Sequence, residues 1–409
     1  MAPVRNEVDV LIAGGGLAGL VAALAIARSA PDMSVEVVDA KPPLAGVSDE
    51  RASAVAAAAR RMLEQLDVWA GLEADAEPIR SMEITDSRTG DAVRPVFLTF
   101  DANVSEGEPF AHMVPNEPLI VALRGAAEGA GITLTAPEAV QRFSLANGRV
   151  AAGLASGGER RARLLVAADG VKSRLRALAG IKTVTWRYPQ SAIVVNVRHE
   201  RPHNGVAVEH FLPGGPFAIL PLKGNRSSLV WAERSAAAAK LVEADDFVFL
   251  VELERRFGHR LGEIALAGPR RTYPLGLILA RDFVRPRFAL LGDAAHGIHP
   301  IAGQGLNLGF RDAAALAETI VDAYRLGLDI GSLEVLRRYE RWRRYDTWQM
   351  GVMTDALNRL FSNDFTPLRV MRDVGLGIVD RLPRLKSLFI GEAAGLGGEL
   401  PKLLKGEPL

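Results

Sequence analysis

The chain has 409 residues, 48% of them hydrophobic, with 49 Lys and Arg against 48 Asp and Glu. A net charge of +1 provides no global basic field, which argues against nucleic acid as a partner. With no cysteine, disulfides, thiolate catalysis, iron–sulfur clusters and cysteine-ligated zinc are excluded, and the seven scattered histidines form no HExxH, so no metal is expected. The length suits two domains, and no run of about 18 uncharged apolar residues predicts a membrane span. Asp9 interrupts the first apolar segment, against a cleavable signal, and a reducing cytoplasm is the expected compartment.

In chain order, Val8–Ala13 reads as a buried parallel strand. Gly14-Gly15-Gly16-Leu17-Ala18-Gly19 follows, then an Ala- and Leu-rich helix and a second strand, Val35–Val38, ended by Asp39. This is Gly-x-Gly-x-x-Gly in its strand–helix–strand setting, with an acid 20 residues past the last glycine. Gly14 allows the tight turn, Gly16 lets a pyrophosphate approach, Gly19 lets helix pack on strand, and Asp39 suits ribose hydroxyls. The bland reading of Asp39 is a solvated turn residue. No second such fingerprint occurs, so one tightly held dinucleotide is expected.

Asp49-Glu50-Arg51-Ala52 precedes a predicted helix, Ala54–Leu66, and Arg at such a junction suits phosphate or ring contacts or a surface ion pair. Arg60 and Arg61 read as a solvated helix face. Ser81–Phe100 reads as an inserted hairpin, Pro118–Gly129 as a helix just after Asn116, and Gly131–Val140 with the strands after it as a small meander. Leu164–Arg176 is a strand ending in Ala168-Asp169-Gly170. Thr183–Thr272 alternates apolar and polar residues, as antiparallel strands of a second sheet do, with a helix over Asp245–Phe257. Phe211, Phe217, Leu220 and Trp231 on that sheet either pack the core or face an aromatic ligand.

Leu290–Asp312 then packs Gly292, Gly297, Gly303, Gly305 and Gly309 between a short strand and a helix entered near Gln304. Backbone N–H groups and a helix N-terminus can meet an anionic ligand there, and Asp293 at the strand end can accept from sugar hydroxyls. Asp312–Ala323 and Leu333–Arg359 read as helices, the latter carrying RRYERWRRYD as a solvated face or a membrane or subunit contact. Thr366–Leu382 is amphipathic, with Leu368, Met371, Gly375, Ile378 and Leu382 at helical spacing and Arg372, Arg381, Arg384 and Lys386 nearby. It reads as packing on the first domain, or as an oligomer or membrane contact.

GDAAH followed by HPIAGQGLNLGFRDA resembles the second FAD motif of the single-component flavin monooxygenases, the group of para-hydroxybenzoate hydroxylase. The wording is nearest the ubiquinone-biosynthesis hydroxylase branch. Arg51 matches that family's DxRA-type motif and Asp169 its DG motif, whereas Asn116 stands where Arg or Gln is common. The resemblance implies an α/β fold: a Rossmann-like FAD-binding domain (1–80, 105–182 and 273–332) interleaved with an antiparallel-sheet substrate domain (81–104 and 183–272), plus C-terminal helices (333–409). It implies FAD held by Gly14, Gly16, Leu17, Ala18, Gly19, Asp39, Arg51, Asn116, Asp169, Asp293, Pro300, Gly303, Gln304, Gly305, Leu306 and Asn307. NADPH or NADH would visit transiently, and O₂ would react as a flavin C4a-hydroperoxide that hydroxylates a prenylated phenol. No base is identified; His299 is a weak candidate and His296 reads as structural. A peripheral contact with the inner face of the cell membrane, a biosynthetic complex and a homo-oligomer are compatible with such a substrate. The alternatives are a prenyl reductase of related fold and a non-catalytic flavoprotein subunit.

Overall fold

The structure, a computed structural model, describes residues 6–42, 50–87, 96–101, 103–105, 107–298, 303–362 and 390–409. Asp49, His299, Pro300 and the amphipathic stretch Thr366–Leu382, with Arg384 and Lys386, lie outside them.

The first sheet has a parallel centre, in the order Thr133–Thr135, Val35–Val38, Glu7–Ala13, Glu159–Ala167, Phe288–Leu290. Val10, Leu11 and Ile12 are successive and all buried, so both faces of the sheet are covered. The helix Leu17–Ser29 is buried from Gly19 to Ala27, and each of its Leu20, Val21, Leu24 and Ile26 side chains contributes about 1.5–3 kcal/mol by burial. That helix also packs against Gln304–Arg325. Small residues make the approach close: a Cβ on Gly309 would lie 3.4 Å from that of Ala18.

Two local expectations are corrected. Thr133–Thr135 does not join the meander but pairs in parallel with Val35–Val38 at the sheet edge. The remaining hairpin, Val140–Ala146 with Arg149–Leu154, turns at Asn147-Gly148 and adds antiparallel to Glu159–Ala167. The predicted helix from Ala54 begins only at Ala57, because Ala52–Ala56 pairs as a strand with Ala111–Pro115. Tertiary pairing here overrides the helix preference of an Ala-rich stretch.

The second sheet runs in the order His296–Gly297, Arg271–Ala280, Thr183–His199, Arg226–Arg234, Gly215–Leu222, Val206–Leu212, Ser81–Asp86, Val96–Asp101. The hairpin strands Ser81–Asp86 and Val96–Asp101 thus belong to this sheet. One face carries Ile193, Val195, Phe217, Ile219, Leu229 and Trp231 against Phe249, Leu253 and Phe257 of the helix Asp246–Phe257. Asp245 caps that helix by accepting from the Val248 N–H at 2.9 Å.

The helix Leu333–Phe361 is not solvated all round. Tyr339 and Arg343, both in the basic–aromatic run, are fully buried. The Tyr339 hydroxyl donates to Leu290 O at 2.8 Å, tying this helix to the last strand of the first sheet. Arg60 and Arg61 are likewise engaged, Arg60 with Glu64 and Arg61 with Glu108.

Gly14 and Gly19 close the first turn on itself. Gly14 has φ +121°, and a Cβ there would lie 2.1 Å from Ala168 O; a Cβ on Gly19 would lie 2.0 Å from Gly14 O. Both contacts are with backbone, which cannot swing aside. Gly19→Val should therefore cost about 1–3 kcal/mol or more through overpacking, read as a lowered melting temperature. An unchanged melting curve would contradict this packing.

Candidate cofactor cradle and substrate cleft

Among the described residues, two helices are capped by glycine. Gly16 caps Leu17–Ser29 and Gly303, at φ +63°, caps Gln304–Arg325; neither cap has a side-chain hydrogen bond and neither first turn carries an acid. The N-terminal N–H groups and dipole of a helix favour an anion. Gly16 and Gly305 have nothing within 4 Å where a Cβ would point, whereas Gly14, Gly19, Gly292 and Gly309 meet neighbours. The open glycines thus mark space that a side chain would fill and a backbone-hugging anionic dinucleotide fits. Leu17 and Ala18 in one first turn, and Leu306 in the other, are half-buried beside that space.

Asp39 is half-buried and accepts from the Gly15 N–H at 2.9 Å and the Lys41 N–H at 2.8 Å. Each oxygen keeps a lone pair for a further donor. Asn307 works inward: its side chain accepts from the Ala56 N–H at 2.9 Å and donates to Ala54 O at 2.9 Å, stitching the helix start to the strand Ala52–Ala56. Gln304 is buried at the helix start. Asn116 opens the helix Asn116–Gly129 and accepts from the Ser53 hydroxyl at 2.7 Å. The Asp169 carboxylate accepts from the Ser173 hydroxyl at 2.5 Å and the Leu175 N–H at 3.1 Å, so it orders its own turn. Arg176 then reaches across to Ala294 O at 2.7 Å, joining the Asp169-Gly170 loop to the loop of Asp293.

Asp293 is solvent-accessible yet hemmed in by protein. Desolvation raises its pKa; Asp312 adds to that, while His296 and Arg51 oppose it. Arg51 also lies over the Tyr273 ring, 5.6 Å from its centroid. Beneath this loop sits a carboxylate not singled out from sequence. Asp312, fully buried, accepts from the Gly292 N–H at 3.1 Å, contacts His296 Nε2 at 2.5 Å and accepts from Arg343 Nε at 2.8 Å. Burial disfavours its charge, but His296 and Arg343 outweigh burial and hold its pKa below the usual carboxylate range. His296 is therefore an anchor of the loop, not merely a packed ring. A carboxylate among the alanines of 312–317 was the available sequence signal.

The sheet face opposite the Phe217 core looks toward the first domain. Asn196 donates to Glu50 O at 2.7 Å, Tyr273 meets Arg51, and Ala207 and Leu222 pack with Ala57, Phe110 and Met113. This face is lined with small residues, Ala192, Ala207, Ala218, Ser228 and Ala232, and Val194, Leu220 and Val230 in the central strands stay half-exposed. The accessible part of this face, on the side of the first domain, is called the cleft below. Leu220 lies on this face and packs against the cluster of Ala57, Phe110 and Met113. Phe211 is on the same face but stacks on Phe361 at 4.0 Å between centroids, closing one end. Phe217 and Trp231 take the core alternative: they point to the other face, 0% and 1% exposed, among Phe249 and Leu253. Strand alternation assigns residues to two faces but not which face meets a ligand.

Gly16→Val and Gly305→Val should each abolish flavin retention while leaving the far-UV circular dichroism unchanged, since neither Cβ meets a neighbour among the described residues. Purified variants of full yellow colour would contradict the cradle. Asp312→Ala removes the fully buried partner of Arg343, which keeps only the partly exposed Asp346, and should cost about 3–5 kcal/mol, seen in chemical denaturation. Because Asp312's folded pKa is depressed, its contribution is present above the ordinary carboxylate range and is lost only as pH falls through the lowered value. The stability gap between wild type and variant should hold from pH 8 to pH 5 and shrink in stronger acid.

The FAD binding domain family matches residues 7–352. The chain is 46% identical to ubiquinone hydroxylase UbiL of Rhodospirillum rubrum, covering 98% of this chain and 93% of that protein. It is 35% identical to 3-demethoxyubiquinol 3-hydroxylase of Escherichia coli, covering 96% of this chain and all of that protein. Its fold is shared with p-nitrophenol 4-monooxygenase PnpA of Pseudomonas putida, at TM-score 0.79 and 17% identity, covering 96% of this chain and 100% of that one. The chain belongs to the FAD binding domain family, within its group of flavin-dependent aromatic monooxygenases.

Proposed function

We propose that this protein hydroxylates the aromatic ring of a prenylated phenol on the route to ubiquinone, using O₂ and NADPH or NADH. The observation that carries this reading is identity along nearly the whole chain to two hydroxylases named for ubiquinone chemistry, with an apolar cleft beside the dinucleotide cradle. In balance, ring C–H, O₂, NAD(P)H and a proton become ring C–OH, water and NAD(P)⁺. Reduced FAD supplies the activation of O₂ when bound.

The remaining work falls to the chain. The N–H groups after Gly16 would hold the pyrophosphate, Asp39 the ribose, Asp293 the hydroxyls of the flavin's sugar chain, and the first turn from Gly303 through Leu306 the ring's anionic edge. Pro300, outside the described residues, is proposed beside that edge. Asp169 is proposed to act through its turn and Asn116 through its bond to Ser53. Arg51, near Asp293 and over the Tyr273 ring, would contact the flavin. Ala192, Ala218, Ala232 and Val230 give the aromatic ring room, and the Phe211–Phe361 stack with the Asn358–Gln190 bond of 3.0 Å shuts out water at one end. Among the described residues no helix is long and apolar enough to cross a membrane. A prenylated substrate would be drawn from a bilayer, which supports a peripheral contact with the inner face of the cell membrane.

Incubation with 2-prenylphenol and NADPH under ¹⁸O₂ should give one ¹⁸O per product molecule and phenol-stimulated NADPH oxidation. Addition of hydrogen instead of oxygen would replace this reading by a reductase.

A further inference from the structure

The second sheet carries a buried carboxyl side chain outside the cofactor cradle. Glu209 lies in the middle of the strand Val206–Leu212, beside Ala218 on one side and Ile84 on the other. These pairings put it on the face of Ala207, Leu220 and Val230, the cleft face, whereas His210 next to it turns to the Phe217 side and contacts Thr85. Glu209 is 5% exposed, and no counter-charge or hydrogen-bond donor among the described residues meets its carboxyl. An unpartnered acid buried in a central strand is costly to the fold. Its neighbours are alanine and aliphatic, so nothing in the packing requires it.

We propose that Glu209 is the base of the substrate cleft, taking the proton of the phenolic hydroxyl so that the ring is attacked as a phenolate. The proposal rests on the hydroxylase reading. The phenol O–H bond breaks, a carboxyl O–H bond forms on Glu209, and the electron pair left on oxygen enriches the ring positions ortho and para to it. After oxygen transfer the proton returns from Glu209 to the phenolate, and the displaced ring hydrogen leaves as a proton to solvent.

Burial raises the Glu209 pKa to about 8. This brings the carboxylate within about two units of an ordinary phenol near 10, where an unperturbed one would be about six away, and makes it the better matched base. The charged or titratable groups around it are Asp86 on the neighbouring strand, paired with Phe211 and not with Glu209, and Arg271 and Tyr273 at the far edge of the same face. His112, Lys223 and Glu77 lie where the strand Ala111–Pro115 packs against the sheet. Burial, and none of these, is the cause of the shift.

The test compares the flavin-loaded wild type with Glu209→Gln, which keeps shape and removes the base. With 2-prenylphenol, wild-type kcat should rise with pH to a plateau above about 8. The variant should lose about 10²–10⁴-fold in kcat and lose that pH dependence. A fluorinated 2-prenylphenol already ionised at neutral pH should restore most of the variant's rate. Independently of turnover, ultraviolet difference spectra of 2-prenylphenol bound to the oxidised enzyme should show phenolate appearing near pH 8 in wild type and not in the variant. Because burial favours the neutral acid, Glu209's contribution to stability is greatest below the ordinary carboxylate range and is lost as pH rises through about 8. The variant should therefore melt no lower than wild type at pH 8. Equal rates and equal pH profiles in the two proteins would overturn the role of Glu209 and leave the hydroxylase intact. Hydroxylation of the methyl ether of 2-prenylphenol by wild type at the phenol's rate would also overturn it, whether or not the variant folds. Absence of oxygenated product from wild type with every phenol would overturn the parent reading and this proposal together.

Discussion

The buried carboxylate of Asp312 is the contact on which the arrangement depends. From the helix Gln304–Arg325 it gathers the Gly292 N–H and His296 of one loop and Arg343 of the helix Leu333–Phe361. Arg343 passes the connection to Asp346 at 2.7 Å, and Arg311 continues it to Gly397 O. A buried ion pair is poor evidence of net stability, because desolvation consumes much of the attraction. What it supplies here is position. Without Asp312, Arg343 would keep only the partly exposed Asp346 and the buried Gly292 N–H would lose its acceptor, so the carboxylate ties the loop, the helix Gln304–Arg325 and the helix Leu333–Phe361 together.

That arrangement matters because one short segment belongs to both halves of the molecule. Phe288–Leu290 is a strand of the first sheet, and His296–Gly297 is a strand of the second. The helix that follows points its N-terminus back into the space between them. Cradle and cleft are therefore fixed by one covalent turn and one carboxylate. The two glycine-capped helices pack against each other, and the small-residue face of the antiparallel sheet lies on the side of the first domain. The proposed dinucleotide site lies at the starts of these two helices.

The parts legible in the sequence were those whose chemistry is local. Gly14 and Gly19 could be read because a tight turn and a helix contact each forbid a side chain. The late glycine loop could be read for the same reason, and its wording led to the right family. The parts not legible depend on what a residue meets across the fold. Ala52–Ala56 has helix-forming composition and became a strand because Ala111–Pro115 lay beside it. Phe217 and Trp231 alternate correctly, but alternation does not say which face is the ligand's. Arg343 and Tyr339 sit in a run that looks solvated, and only Asp312 and Leu290 O explain their burial. Glu209 left no pattern at all: one acid in an apolar strand is unremarkable until its burial and lack of partners are known.

Function in this chain is thus divided between elements of different origin. In the proposed reading, backbone at two helix ends would serve the cofactor, an alanine-rich sheet face would serve the substrate, and side-chain charges would hold the two in register. The central claim, that the two helix N-termini form one cradle for a single dinucleotide flavin, is tested most directly by releasing the flavin from purified protein and measuring its identity and amount. The account predicts FAD at one molecule per chain. FMN, or no flavin in protein that is folded and monodisperse, would contradict it.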